Sequence, residues 1–330
     1  MRTVAIVGFG SIGQRHLRVV QAILPDARIV VLRRPESRGG DDVPCGVTIV
    51  RHVDEALILK PDAAIIANPA PFHIEAARPF AEASAHLLIE KPLSTSLEGL
   101  KSLSGLCRKN GLVLQVGYCL RFSPVLAELQ KQIAAGAIGD IQSITATVGQ
   151  YLPDWRPRQD YRNTVSARAE LGGGVLWELS HELDLALWLG GEAKTVKAEA
   201  ENSGTLDVDV EDTAHLQLSF ANDAQANIAM DMVSRPAQRN LVVNGSLGQA
   251  AWDGISGEAK IRLSQNGEWK GVQVKDADEP DAMYRQQFRH FIRCIEKGEP
   301  PLVGGAEGRR VVELVLAAKR SAEIGEAVSL

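Results

Sequence analysis

From Thr3 the chain reads TVAIVGFGSIGQRHLRVVQAIL: a short β-branched run, a glycine turn, then apolar positions at helical spacing. Further strand-like runs follow as ARIVVL, AAIIAN, HLLIE and LVLQVG, and the stretches FHIEAARPFAEAS and LEGLKSLSGLCRKN have helical periodicity. Strands that alternate with helices predict a parallel sheet covered on both faces, the α/β doubly wound class. Ligands in such sheets sit at the carboxyl ends of the strands.

The pattern changes near residue 120. IQSITATVGQY, VKAEAENS, AHLQLSF, AQANIAMDM, NLVVNGSLGQAAWD and AKIRLSQ are strand-like, broken by turn residues such as Asn222-Asp223 and Asn244-Gly245, with no helices between them. That suits an α+β domain on a large, open, mostly antiparallel sheet. AMYRQQFRHFIRCIEKG and AEGRRVVELVLAAKRSAEIG read as closing helices. The expected division is 1–120 and 121–330, with the C-terminal helices packing partly back toward the first domain.

One helical run breaks the usual pattern of one apolar and one wet face. In GGGVLWELSHELDLALWLGG, residues 172 to 191, Leu176, Leu179, Leu183, Ala186 and Leu187 make an apolar face over a fifteen-residue helix. Glu178, His181 and Asp184 fall on the other side, one turn apart, beside Trp177, Leu185 and Trp188. A polar triad among aromatic residues reads as the wall of a site rather than a solvent face.

Composition narrows the function classes. The 330 residues, 45% apolar and 23% charged, suit two soluble globular domains. A net charge of −5 speaks against nucleic acid as a partner. The apolar runs are strand-length, so no membrane span is expected, and a strand within three residues of the start leaves no room for a secretory signal. Cys45, Cys107, Cys119 and Cys294 are scattered, without metal-ligand spacing, which suggests a cytoplasmic protein with no metal.

The turn Gly8-Phe9-Gly10-Ser11-Ile12-Gly13 is a G-x-G-x-x-G at a strand-to-helix junction. Its glycines allow a tight turn, close approach to a pyrophosphate and close helix packing, so it reads as a Rossmann dinucleotide site. The second strand ends at Arg33-Arg34 instead of an acidic residue, which favours NADP, with NAD the alternative. Asn68-Pro69, Glu90-Lys91-Pro92 and Gly117-Tyr118 fall at strand ends on the ligand side. Lys91 there could polarise a substrate oxygen. His73, at a helix start, is a cap or a cofactor contact; His16, on the first helix, is packing or surface. In GQYLPDWRPRQDYR, Tyr151, Trp155, Arg156, Tyr161 and Arg162 combine aromatic faces with arginine forks, suited to an anionic sugar or to a subunit contact. Tyr118 and Arg121 in GYCLRFSP are further substrate candidates.

VAIVGFGSIGQRH, NPAPFHIEAA, IEKPLS, GYCLRFSP, GGGVLWELSHELD and HFIRCIEKGEPPLVGGAEG together resemble the Gfo/Idh/MocA oxidoreductases along nearly the whole chain. The resemblance implies hydride transfer between nicotinamide C4 and a hydroxyl or carbonyl carbon of a sugar, sugar phosphate, inositol or nucleotide sugar. His181 would be the acid/base, Lys91 the polarising group, Glu178 or Asp184 the residue orienting His181, and Asp184 a further substrate contact. The family pattern has an Asp four residues before the His, whereas Glu178 here precedes His181 by three. A non-catalytic cofactor-binding sensor, and a reductase of a non-sugar carbonyl or imine, are the rival readings. The open sheet suggests a homodimer or homotetramer.

Overall fold

The computed structural model describes residues 1–33, 46–264, 267–274 and 281–330. The chain forms two compact units, Met1–Cys119 with Pro280–Arg310 and Leu120–Glu279 with Val311–Leu330. The first unit is thus discontinuous in sequence, and the division passes through the helix Gly305–Ile324.

Among the described residues the first unit holds six strands: β1 (Thr3–Val7), β2 (Arg28–Leu32), β3 (Val47–Val50), β4 (Ala63–Ile66), β5 (His86–Ile89) and β6 (Leu114–Val116). They lie in the order β3-β2-β1-β4-β5-β6 and every pairing is parallel. All four residues of β4 are 0% exposed, as continuous apolar strands between two helical layers must be. Strand β3 escaped the sequence reading because it is a four-residue edge strand, mostly half-exposed, with too little apolar contrast to register. The helix Ser11–Ile23 turns Gly13, His16, Leu17, Val19 and Val20 inward. The late helix Ala282–Lys297 adds Phe288 and Phe291 to the same core as Val4, Ile6 and Leu17.

The second unit is built on nine strands among the described residues. These are β7 (Ile141–Gly149), β8 (Ala193–Glu201), β9 (Thr213–Phe220), β10 (Gln225–Asp231), β11 (Gln238–Gly245), β12 (Gly248–Asp253), β13 (Ala259–Leu263), β14 (Lys270–Gly271) and β15 (Val328–Ser329). Their order is β14-β13-β12-β11-β7-β10-β9-β8-β15. The pairings are antiparallel except that of β7 with β10. In β9, Ala214, Leu216, Leu218 and Phe220 are buried while His215 and Gln217 are exposed, the alternation of a sheet covered on one face.

The run expected as one fifteen-residue helix is two, Val175–Glu178 and His181–Gly190. At the join the Glu182 N–H bonds Leu179 O at 3.2 Å, a tighter turn than the helix on either side. Positions three apart eclipse in such a turn. Nor does the second helix have a wet face, since Glu182 through Leu187 are all buried.

Gly8 takes φ +93°, and a Cβ on it would lie 2.7 Å from Ala67 O. Gly8→Ala is therefore expected to destabilise by about 2–4 kcal/mol through positive-φ strain and overpacking. Urea unfolding measures this, and an unchanged midpoint would refute the close approach.

Candidate active site

The ladder of the parallel sheet continues one step past the strands. Gly8 N–H bonds Leu32 O at 3.0 Å, Arg33 N–H bonds Val50 O at 3.1 Å, and Ala67 N–H bonds Val7 O at 2.8 Å. Glu90 N–H bonds Ile66 O at 2.9 Å and Gly117 N–H bonds Ile89 O at 2.7 Å. Gly8, Arg33, Ala67, Glu90 and Gly117 therefore stand side by side along the carboxyl edge. Between β1 and β4 the strand order reverses, the kind of switch point whose crevice takes the ligand in α/β sheets.

The residues at that switch point fit a dinucleotide. The helix from Ser11 has Gly10 as its cap residue, no side-chain cap bond and no acidic residue in its first turn, so its N–H groups and dipole suit an anion. A Cβ on Gly10 would meet nothing within 4 Å, which leaves the backbone open to a close-lying pyrophosphate. Asn68 Oδ1 is buried with no hydrogen-bond partner among the described residues, an acceptor awaiting a donor. Phe9 and Ile12 are half-buried in the same turn and Ser11 is exposed. The Arg33 guanidinium, 8% exposed, stands 5.8 Å over the Phe9 ring. Arg34 lies outside the described residues, as does Cys45.

Lys91 is half-buried where β5 leaves the sheet. Its neighbours Glu90 and Pro92, read from sequence as cofactor contacts, are turned inward. The Glu90 carboxylate is 2.7 Å from His16 Nε2 and also accepts the Lys91 N–H at 3.2 Å. Pro92 is buried, and its carbonyl oxygen faces His73. His73 is 1% exposed and caps no helix; Nδ1 is 2.9 Å from Pro92 O and Nε2 is 2.8 Å from Asn68 O. Burial holds its pKa below the usual histidine value, against the pull of the Asn68 carbonyl and the Glu90 charge. Pro69 is half-buried beside Asn68. His16 is no surface residue, and its place on the inward side of the helix, beside Gly13 and Leu17, was the available signal.

In the second unit Glu178 and His181 are half-buried, and Glu178 accepts a hydrogen bond from Ser166 Oγ at 3.0 Å. Gly174, at φ +102°, starts the first of the two helices against the Glu211 carboxylate, which Lys319 neutralises at 2.7 Å. Asp184, read from sequence as a substrate contact or as the residue orienting His181, is fully buried. Its carboxylate is 0% exposed and takes a two-pronged bond from Arg121, Nε at 2.9 Å and Nη2 at 2.8 Å. The same pairing engages Arg121, read from sequence as a substrate contact and here 6% exposed. Tyr118, at 0% exposure, likewise presents no surface to a ligand. Glu182, 1% exposed, holds Arg239 in a second forked pair at 2.7 and 3.0 Å, which sequence reasoning missed because Arg239 is far along the chain.

The aromatic and cationic loop is tied to itself. Trp155 Nε1 bonds Gln150 O at 3.0 Å, and Arg162 forks onto Asp160 at 2.9 and 2.8 Å. The Tyr161 hydroxyl accepts the Asp207 N–H at 3.2 Å. Arg156 is half-buried. Arg235, not singled out from sequence, lies 3.7 Å over Tyr151 and is 3.0 Å from Asp154. Among the described residues no group of three His, Cys, Asp or Glu is placed to hold a metal, and no helix is long and apolar enough to cross a membrane.

A topological switch point with an open glycine turn defines a nucleotide-binding protein of the Rossmann class. Residues 2–118 match the family described as oxidoreductase family, NAD-binding Rossmann fold, and residues 126–251 match the GFO/IDH/MocA C-terminal domain. The chain belongs to the Gfo/Idh/MocA family of oxidoreductases. It is 25% identical to D-xylose 1-dehydrogenase (NADP(+)) 2 of Haloferax volcanii over 98% of both chains. It is 25% identical to scyllo-inositol 2-dehydrogenase (NAD(+)) of Bacillus subtilis over 99% of this chain and 95% of the relative. The WlbA dehydrogenase of Bordetella pertussis, solved with NADH and UDP-GlcNAcA, shares the fold at a TM-score of 0.83 and 24% identity, covering 100% of this chain and 98% of that one.

Removing one partner of a buried ion pair leaves an uncompensated charge. Asp184→Asn should therefore cost about 3–5 kcal/mol in urea unfolding. A loss below about 1 kcal/mol, typical of an exposed pair, would contradict the buried fork.

Proposed function

We propose that the protein oxidises a secondary hydroxyl of a sugar-like molecule, or reduces the matching carbonyl, with NADP as the favoured cofactor and NAD the alternative. The observation that carries this reading is Lys91, half-buried on the carboxyl edge that also carries the open glycine turn. Gly8 to Gly13, Asn68 and Pro69 would hold the dinucleotide. Arg33, with Arg34 beyond it, would meet the adenosine end, where no acidic residue ends β2 to select a free ribose 2′-hydroxyl. Relatives named for NADP and for NAD both exist, so the arginines carry the preference.

When bound, the nicotinamide supplies the hydride acceptor or donor. Lys91 places its ammonium on the substrate oxygen and stabilises negative charge there as the C–H bond breaks. His181 takes the hydroxyl proton in oxidation and returns it in reduction. Glu178 orients His181, since Asp184 is engaged by Arg121. Trp155, Arg156, Tyr161 and Arg162 are the side chains we assign to the substrate's distal part. The inositol and xylose dehydrogenase names of two full-length relatives favour a polyol or sugar. The polar outer face of the nine-stranded sheet, with Lys197, Glu199, His215 and Gln217, is the surface we assign to a homodimer or homotetramer.

Fluorescence titration with NADPH and NADH, then a panel of D-xylose, scyllo-inositol and UDP-N-acetylglucosamine followed by reduced-cofactor absorbance, tests the reading. NADPH is expected to bind more tightly than NADH. His181→Ala should lower kcat by about 10²–10⁴-fold and Lys91→Ala by about 10²–10³-fold, with cofactor binding retained. Cofactor binding without turnover on a wide panel would favour a sensor instead. Light scattering at the monomer mass would remove the oligomer.

A further inference from the structure

Two histidines converge on one tripeptide. His16, on the inward side of the helix after the glycine turn, bonds Glu90 Oε1 through Nε2 at 2.7 Å, and Glu90 Oε2 accepts the Lys91 N–H at 3.2 Å. On the far side of Lys91, His73 Nδ1 lies 2.9 Å from Pro92 O, and Nε2 lies 2.8 Å from Asn68 O. We infer that His16 and His73 are positioning residues that grip Glu90-Lys91-Pro92 at its two ends and so fix where the Lys91 ammonium is presented. This rests on the reading of Lys91 as the polarising group.

The need for a grip follows from the backbone. The sheet ladder holds Glu90 through its N–H, but the Lys91 N–H points to the Glu90 carboxylate and Pro92 has no N–H to offer. A lysine ammonium sits at the end of a four-carbon stem, so where the stem starts bounds the positions the ammonium can reach. A carboxylate bonding the next residue's N–H fixes nothing unless it is itself fixed.

His16 supplies that restraint, and the walls around the pair leave little play. A Cβ on Gly117 would lie 2.9 Å from Glu90 Oε2 and 3.0 Å from its Cα, so Glu90 is seated against the backbone beyond β6. The Tyr284 ring meets His16 edge-on, centroids 6.1 Å apart at 82°, and the Tyr284 hydroxyl takes a bond from Arg15 at 3.3 Å. A carboxylate only accepts, so His16 Nε2 is the donor. At His73 both facing oxygens are carbonyls, which also only accept. The hold on the tripeptide is the Nδ1–H that His73 donates to Pro92 O, and the ring spans the loops after β4 and β5; burial lowers its pKa while the two carbonyls pull it up.

The test pairs two readouts. Leucine removes the bond while filling similar space, whereas His16→Gln and His73→Asn place an amide donor near the lost Nε2 and Nδ1. His16→Leu and His73→Leu are each expected to lower kcat by about 10–100-fold, the cost of a small misplacement. KM for the panel substrate and NADPH affinity should stay near wild type, and the amide variants should recover most of the loss. Independently of turnover, hydrogen exchange by mass spectrometry should show the Lys91 amide exchanging at least about tenfold faster in His16→Leu. Gly117→Ala, which displaces Glu90 without touching either histidine, should speed it in the same way. Leucine variants with wild-type kcat and exchange would overturn the inference, as would losses that the amide variants do not recover. Lys91→Ala measured alongside separates the two readings. If it retains turnover the polarising role fails, while exchange at Lys91 still decides the grip.

Discussion

Where β1 ends, the backbone at Gly8 approaches the Ala67 carbonyl so closely that a Cβ would lie 2.7 Å from the oxygen. The rest of the first unit depends on that contact. It lets the chain turn sharply at the place where the strand order reverses, so that the helix from Ser11 begins directly beside the end of β4. The N–H groups of that helix, which no side chain caps, Asn68 Oδ1, without a partner among the described residues, and the open space over Gly10 then all lie at the switch point. A bulkier turn would move the helix away, and the row from Arg33 to Gly117 would lose its cofactor side.

Buried charge sets orientation in both units. His16 with Glu90 joins the first helix to the end of β5, Arg121 with Asp184 pins the helix His181–Gly190, and Glu182 with Arg239 ties the same helix to β11. Such pairs recover little net stability, because removing both charges from water costs much of what their attraction returns. Their effect is that each helix has one satisfied placement, since a shifted one would leave a charge buried and unpaired. The residue that would contact substrate on each element, Lys91 or His181, lies next to or within a turn of such a pair and stays half-buried itself.

This arrangement explains the odd composition of the helix that carries His181. Its acidic residues are not a wet face: Glu182 and Asp184 are 1% and 0% exposed because each meets an arginine fork. The turn from Leu179 to Glu182 separates Glu178, at the end of one helix, from His181, at the start of the next, so a regular helix does not set their relation.

The sequence by itself determined the class of fold, the dinucleotide turn and the strand ends that carry Lys91, because these follow from local periodicity and from the backbone freedom of glycine; the family was legible through the resemblance of its motifs. It was enough to place the change to an antiparallel sheet near residue 120. It did not reveal the edge strand β3 or the break in the helix at Leu179, and it anticipated a return of the C-terminal helices to the first domain without the bounds 280–310. Nor could it say that Arg121 and Asp184 would meet each other, that Glu90 would turn to His16, or that both His73 nitrogens would face carbonyls. Partners in those contacts lie up to 74 positions apart, as His16 and Glu90 do, and no periodicity links them. Only packing decides which buried charge finds which partner, since the cost of an unpaired charge is set by the finished interior and not by the neighbours in sequence.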